Sequence, residues 1–443
     1  MSEIKNKRLR ILFVASELTP IAKVGGLGDV IGSLSKALSK LGVEVAVVLP
    51  RYEQIKNPGK LILKNFPVGS EKISIYQTFI SNSKVKVFLV ENKKYLSRGP
   101  IYFSKTAFVG SVREIERFKF FSQSVFNLLR DGKLPFKPDV VHCNDWHTGF
   151  LAKLLKSNSQ FPIYNYQLPK VVFTIHNLAN QGIWGKENWM AEGIKNADFI
   201  TTVSPTYAGE ILTPKFGEGL QGILRKKAKV KKLTGILNGV DYDFWKVPAR
   251  RREDFQKELG LRTNNSAPIF GLVSRLTGQK GINLILPLIS QFIRQGAQFA
   301  FLGQGRPDYE KKLKDLAKKY SKEVFVEIGF NEKLAHRIYA QSDFFLMPSL
   351  FEPCGLGQLI AMHYGTIPIV HATGGLKDTV QHKKTGFVMR SENKSALEKE
   401  VLGAMIIFQN KRKLEQFRKR AKNADFSWSK SAQRYLEIYK SLA

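Results

Sequence analysis

Two cations, Arg275 and Lys280, share the stretch Gly271-Leu-Val-Ser-Arg275-Leu-Thr-Gly-Gln-Lys280-Gly281, which directly follows an apolar run. On a turn, an arginine fork and a lysine point charge at that spacing can grip adjacent phosphate groups. A solvated surface loop holds such a pair equally well. Glu352 sits in Pro348-Ser-Leu-Phe351-Glu352-Pro353-Cys354-Gly355-Leu356-Gly357-Gln358, between a strand-like and a helix-like segment. The adjoining proline and glycine hold a carboxylate rigidly, and Gly355 and Gly357 let main chain approach an anion at a helix start. Cys354 invites a nucleophile reading, but no base stands beside it, and a small buried packing residue accounts for it better.

Two glycine pairs carry the same kind of chemistry. Lys23-Val-Gly25-Gly26-Leu-Gly28-Asp29 and Thr373-Gly374-Gly375-Leu-Lys377-Asp378 each join a strand-like run to a helix-like one. Unpaired N–H groups opening a helix are partly positive, and glycine allows close approach, so a phosphate fits such a loop. A tight turn alone also explains the glycines. The first loop matches neither G-x-x-x-x-G-K-[ST] nor G-x-G-x-x-G, so the usual ATPase and dinucleotide readings are unsupported. His142-Cys-Asn-Asp145-Trp146-His147 and Thr174-Ile-His176-Asn177 place polar groups at two further strand ends. They suit sugar hydroxyls better than a metal, because the histidines lack the i,i+4 helical spacing of H-E-x-x-H.

The elements that must position these residues alternate throughout the chain. Strand-like runs fall at 10–15, 43–50, 84–90, 140–142, 171–175, 199–203 and 233–237, with amphipathic stretches at 29–41, 114–130, 149–156 and 191–197. After Asn238-Gly-Val-Asp241 a polar stretch, 242–267, contains Pro248 and marks a domain boundary. A second series follows, with strands at 269–273, 299–302, 324–328, 344–347 and 367–370 and helices at 309–319, 334–340 and 357–363; 396–442 reads mainly as helix. This βαβ rhythm predicts parallel sheets covered by helices, with chemistry at the carboxyl ends of the strands.

At 443 residues the chain is long for one core, and two or three domains are expected. No apolar run reaches the length of a membrane span, and the basic start MSEIKNKRLR leads into a strand without a cleavage site, so a cytoplasmic protein is expected. Two distant cysteines, Cys143 and Cys354, form neither a disulfide framework nor a zinc pattern. The net charge of +33 admits a polyanionic partner, but the excess is spread over both halves, and its densest cluster, Arg225–Lys232, reads as a solvated loop or helix end. No nucleic-acid module is recognisable, so no specific nucleic-acid partner is expected.

In order, K-x-G-G-L-x-D-V from Lys23, D-W-H-x-G from Asp145, H-N-x-x-x-Q-G from His176, S-R-L-x-x-Q-K-G from Ser274, E-P-x-G-x-x-x-L-x-A-M from Glu352 and T-G-G-L-x-D-T-V from Thr373 resemble bacterial glycogen synthases and plant starch synthases. The resemblance runs from residue 10 to about residue 435. It implies an α/β fold of two Rossmann-like parallel-sheet domains facing an interdomain cleft, the GT-B arrangement. Residues 1–243 would form the acceptor-side starch synthase catalytic domain, 266–424 the donor-side glycosyltransferase domain, and 425–443 a helix crossing back to the first domain. The implied activity is transfer of glucose from ADP-glucose to the non-reducing end of an α-1,4-glucan with retention of configuration, without cofactor or metal.

Carried over by position, His176, Glu352, Arg275 and Lys280 would be catalytic. Lys23, Gly25, Gly26, Asp29, Asp145, Asn177, Asn238, Cys354, Gly355, Leu356, Thr373, Gly374 and Gly375 would bind substrate. Two other readings stand beside this one: a related retaining glycosyltransferase with another donor or acceptor, and a non-catalytic glucan- or polyanion-binding protein. Three departures mark this chain: Val24 where many relatives have Thr, Arg306 in place of an acid, and a divergent segment, 95–121, that leaves acceptor preference open.

Overall fold

Uninterrupted runs of β-branched and aromatic residues, such as RILFV and KVVFTI, suit strands covered on both faces. In the computed structural model, which describes residues 8–103, 111–157, 168–246 and 252–443, they form the centres of two sheets. The basic start before Arg8, Pro248 in the expected boundary and residues 104–110 of the divergent segment lie outside the described residues.

The strands in chain order are β1 (Arg10–Val14), β2 (Glu44–Pro50), β3 (Lys60–Val68), β4 (Glu71–Phe79), β5 (Lys86–Glu91), β6 (Val140–Asn144), β7 (Lys170–Ile175), β8 (Ile183–Trp184), β9 (Glu187–Asn188), β10 (Phe199–Thr202) and β11 (Leu233–Gly235). There follow β12 (Ile269–Val273), β13 (Gln298–Gly303), β14 (Val324–Ile328), β15 (Phe344–Met347), β16 (Ile367–His371) and β17 (Phe387–Met389). The first compact unit, Met1–Gly239 with Trp428–Ala443, contains a nine-stranded sheet in the order β11-β10-β7-β6-β1-β2-β5-β4-β3. The second unit, Val240–Ser427, contains a six-stranded sheet ordered β14-β13-β12-β15-β16-β17, parallel throughout.

The parallel expectation needs one correction. β4 runs antiparallel to both β3 and β5, so the first sheet ends in a hairpin that the periodicity did not reveal. β3 carries register shifts between Leu61 and Leu63 and again between Leu63 and Phe66, and most of it is exposed. Its inside–outside alternation is therefore broken, and the signal that survives is the turn at Gly69, with φ of 59°. The short edge strand β17 was also missed.

The expected helical tail over 396–442 is three helices, Lys394–Gln409, Lys411–Lys422 and Trp428–Leu442. Asn393 and Asn410 start the first two by accepting from the N–H groups of Ala396 (2.9 Å) and Lys413 (3.0 Å). The last helix packs on Gly26–Lys40 and places Trp428, Ala432, Tyr435 and Tyr439 in the core of the first unit. Tyr439 also meets buried His142, with its hydroxyl 2.6 Å from Nδ1. Each such aromatic contributes about 1.5–3 kcal/mol through burial. The basic cluster 225–232 lies on the end of helix Gln221–Lys229 and the residues after it, where Arg225 and Lys227 donate to the carbonyls of Leu212 and Ala197.

Candidate functional site

In the second unit, three neighbouring strands, β12, β15 and β16, deliver the loops that carry Arg275 and Lys280, Glu352, and Gly374 and Gly375. Val273, Ser274, Arg275, Lys280, Tyr339 and Glu352 are among the residues lining a cavity of about 230 Å³ at these strand ends. Lys280 Nζ and Glu352 Oε2 meet at 2.5 Å, with side chains largely but not wholly withdrawn from solvent. Gln279 fixes the two loops to each other. Its side-chain amide donates to Phe351 O (3.0 Å), its carbonyl accepts from Leu350 N–H (2.8 Å), and its Oε1 lies 3.4 Å from an Arg275 guanidinium nitrogen. Arg275 stays exposed beside the cavity with no carboxylate paired to it among the described residues.

Glycines permit this closeness. Gly281 has φ of 73°, and a Cβ there would lie 2.3 Å from Pro348 O. At Gly374, φ is 41° and a Cβ would lie 1.9 Å from Glu352 O, while a Cβ on Gly375 would lie 2.2 Å from Cys354 O. The Gly375 N–H points at the carbonyls of Glu352 (3.3 Å) and Pro353 (3.2 Å). Thr373-Gly374-Gly375 thus buttresses the Glu352 segment from behind. Leu356 and Gly357 line the cavity, whereas Cys354 is a buried thiol outside the lining. Gly355, at φ 73°, turns the chain between them, and the Gln358 amide donates to the carbonyls of Cys354 and Gly355.

In the first unit the loops follow β7, β6 and β1, again three neighbours. Asp145, at φ 53°, accepts at Oδ1 from the N–H of His176 (2.7 Å) and, more weakly, of Asn177 (3.4 Å). His176 Nε2 lies 3.0 Å from Asn144 Oδ1, and Asn177 turns its own loop by accepting from Ala179 N–H (3.1 Å). Burial dominates the electrostatics. It raises the Asp145 pKa to about 7 against its two N–H partners, with Glu17 adding to the rise, and it lowers His147 and His176 to about 3. Both imidazoles are therefore neutral at pH 7; His176 bonds to Asn144, whereas His147 Nδ1 has no partner among the described residues. Gly182 lets the His176 loop close on Trp146, since a Cβ would fall 2.1 Å from its ring. Asn238 is buried, and its Oδ1 has no partner among the described residues.

The loop with Lys23, Gly25, Gly26 and Asp29 is folded differently from the open phosphate cradle its glycines suggest. Glu17 Oε2 accepts from the N–H groups of Val24 (2.7 Å) and Gly25 (2.6 Å), and Lys23 Nζ pairs with Asp29 Oδ1 at 2.8 Å. Asn144, Gln279, Tyr339 and Glu17 escaped the sequence reading. Gln279 sits inside a motif already singled out, while Glu17 precedes its glycines by a cis-proline turn and shows its partner only in space. Among the described residues, no three His, Cys, Asp or Glu side chains gather as a metal site, and no helix is long and apolar enough to cross a membrane.

The family model for the starch synthase catalytic domain matches residues 10–226, and that for glycosyl transferases group 1 matches 252–424. The chain is 38% identical over 486 residues to a glycogen synthase of Alkaliphilus metalliredigens, covering 98% of this chain and all of that one. A glycogen synthase of Clostridium botulinum is 39% identical over 487 residues, with the same coverage. Among solved structures, the catalytic domain of starch synthase IV from Arabidopsis thaliana, bound to ADP and acarbose, superposes with a TM-score of 0.86 at 30% identity, over 98% of this chain and 99% of that one. A sucrose-phosphate synthase of Thermosynechococcus elongatus, at 19% identity and a TM-score of 0.66, shares the fold over 98% of this chain and 99% of its own. With its α/β units of the GT-B class, the chain belongs to the glycogen and starch synthase family of glycosyltransferases.

Proposed function

We propose that this glycosyltransferase transfers glucose from ADP-glucose to the non-reducing 4-hydroxyl of an α-1,4-glucan with retention of configuration, in the cytoplasm. The observation that carries the reading is the Lys280–Glu352 pair beside Arg275, around one cavity at the ends of β12 and β15. Residues 266–424 would serve the donor, residues 1–243 the acceptor, and 425–443 would return to the first domain. ADP and acarbose in the Arabidopsis relative support this choice of ligands.

In this reading Arg275 and Lys280 neutralise the diphosphate as negative charge develops on it, work that fixed cations in a cavity perform without reorganisation. The acceptor oxygen attacks the anomeric carbon from the face the phosphate leaves. The bond from that carbon to the phosphate oxygen breaks, and the acceptor proton passes to the departing phosphate. Glu352 supports the cationic sugar, and the neutral His176, whose Nε2–H goes to Asn144 Oδ1, accepts a hydrogen bond from one of its hydroxyls. Asp145 fixes the His176 main chain, and Asn177, Asn238, Lys23 and Asp29 complete the surroundings of sugar and acceptor. Gly355, Leu356, Gly374 and Gly375 shape the donor side, with Cys354 a packing neighbour.

The test supplies glycogen with labelled ADP-glucose and UDP-glucose in parallel. Incorporation from ADP-glucose into product that α-amylase digests is the expected result. Preference for UDP-glucose would replace the donor assignment, and absence of transfer from either would remove the reading.

A further inference from the structure

Glu17 is a buried acid to which the reaction above assigns nothing, and it lies directly beneath the glycine loop of the first unit. Its Oε2 takes the N–H groups of both Val24 and Gly25, and its Oε1 accepts from the Tyr102 hydroxyl at 2.7 Å. Tyr102 is held in turn by Ser16, with its hydroxyl 2.9 Å from Ser16 Oγ, and Tyr52 donates to Ser16 O at 2.7 Å. The carboxylate is thus anchored at both oxygens. Two adjacent backbone N–H groups converging on one carboxylate oxygen form the arrangement that otherwise receives a phosphate oxygen. Here the chain fills it with its own anion.

The loop's other positive group is disposed differently. Lys23 Nζ pairs with Asp29 Oδ1, an oxygen that also accepts from Thr19 Oγ1 at 3.0 Å. Both side chains of that pair are about one-third exposed, at 34% and 31%, whereas Glu17 is 3% exposed. An exposed ion pair exchanges partners at little cost, while removing the partner of a buried charge is expensive. The two carboxylates therefore differ in kind: Asp29 holds Lys23 exchangeably, and Glu17 holds the main chain permanently.

We infer that Glu17 is the positioning residue of this loop: it occupies the Val24–Gly25 N–H pair as an internal anion, so that Lys23 is what the loop offers the substrate. The inference rests on the proposed role of Lys23 in glucosyl transfer, but its structural half can be read without substrate. In Glu17→Gln the amide oxygen can accept from both N–H groups, and the amide N–H can donate to a reversed Tyr102 hydroxyl, so the loop is kept. Glu17→Ala removes every one of these contacts.

Amide hydrogen exchange on the unliganded protein comes first. Val24 and Gly25 should be protected in the wild type and in Glu17→Gln, and should exchange at least about 10-fold faster in Glu17→Ala with the sheet strands unaltered. Equal protection in Glu17→Ala would overturn the inference whatever the enzyme does. Kinetics on a double-mutant cycle come second. Glu17→Ala should lower kcat by about 10²-fold, yet cost less than about 3-fold when Lys23 is already alanine, because the two act through one group. Additive losses would overturn it. So would tighter binding of ADP by Glu17→Ala, since the vacated N–H pair would then be a phosphate site with Glu17 as its competitor. If Lys23→Ala alone transfers glucose normally, the role proposed for Lys23 fails, and the exchange result still decides what Glu17 does to the main chain.

Discussion

Each unit gathers its candidate loops at the ends of three neighbouring parallel strands, β7, β6 and β1 in one and β12, β15 and β16 in the other, yet the two sets of loops are charged oppositely. In the first unit Lys23 faces Asp29, the N–H groups of Val24 and Gly25 face Glu17, and the neutral His176 gives its main-chain N–H to a buried Asp145. In the second, Lys280 pairs with Glu352, while Arg275 beside it has no described carboxylate partner. An anion as highly charged as a nucleoside diphosphate gains most where cations exceed acids around a cavity of reduced dielectric. The comparison teaches that a shared topology says where chemistry gathers, while the local charge balance says which part of a substrate each site suits.

The glycine pairs diverge in the same way. Gly374 and Gly375 are forced by carbonyls that leave no room for a Cβ, whereas a Cβ on Gly25 would sit 3.6 Å from the nearest Glu17 oxygen, at an ordinary contact distance. Similar spelling, K-V-G-G-L-G-D-V and T-G-G-L-K-D-T-V, therefore conceals a loop organised by a carboxylate and a buttress organised by packing.

The most severe way to break the comparison is to remove the second unit's cation. Lys280→Ala should reduce glucose transfer by about 10²–10³-fold and weaken ADP binding by at least about 10-fold. His176→Ala should damage turnover and leave ADP affinity within about 2-fold. Calorimetric titration with ADP separates the two, and equal weakening by both variants would dissolve the assignment of the diphosphate to one site.

Next in size is a steric contrast. Gly374→Ala should cost about 3 kcal/mol, seen as a fall of roughly 5–10 °C in the melting transition of the second unit. Gly25→Ala should cost about 1 kcal/mol or less. Differential scanning calorimetry measures both, and a tolerant Gly374 would contradict the buttress.

A smaller effect sharpens the electrostatic side. The Asp145 pKa is raised by folding to about 7, so between roughly pH 4 and pH 7 the folded state holds the proton more tightly, and this residue's contribution to stability declines as pH rises. His147 and His176, lowered to about 3, act in the opposite sense and make the first unit lose stability as pH falls below about 6.5. Asp145→Asn deletes only the first contribution. Its melting temperature relative to wild type should therefore rise from pH 4 to pH 8, and a flat difference would show that Asp145 is not protonated in the folded protein at pH 5. Smallest of all is Cys354→Ser, expected to keep activity within about 3-fold because the thiol is buried and does not line the cavity. A loss beyond about 10-fold in a variant of unchanged melting temperature would restore Cys354 to the chemistry.

Much of this was legible in advance where the information was local. The strand runs of the second unit recur within a residue or so of their expected bounds, apart from β17, and Arg275, Lys280 and Glu352 do meet around one cavity. The hairpin β3–β4 was illegible because register shifts and exposure scramble the alternation on which a strand is recognised. Glu17 was illegible for another reason: nothing in a run of letters tells whether a helix-opening N–H pair is left open or filled by the chain itself.

By itself, the sequence determined the alternation of strands and helices, the motifs at the strand ends and the family to which they point, because propensity, periodicity and spacing are properties of neighbouring residues. Tertiary structure alone decided which charge meets which. Lys280 and Glu352 are 72 residues apart, and Tyr439 and His142 are 297 apart. Whether a group stays charged, exchanges its partner or is held for good depends on burial and on distances through space, which only the packed sheets establish.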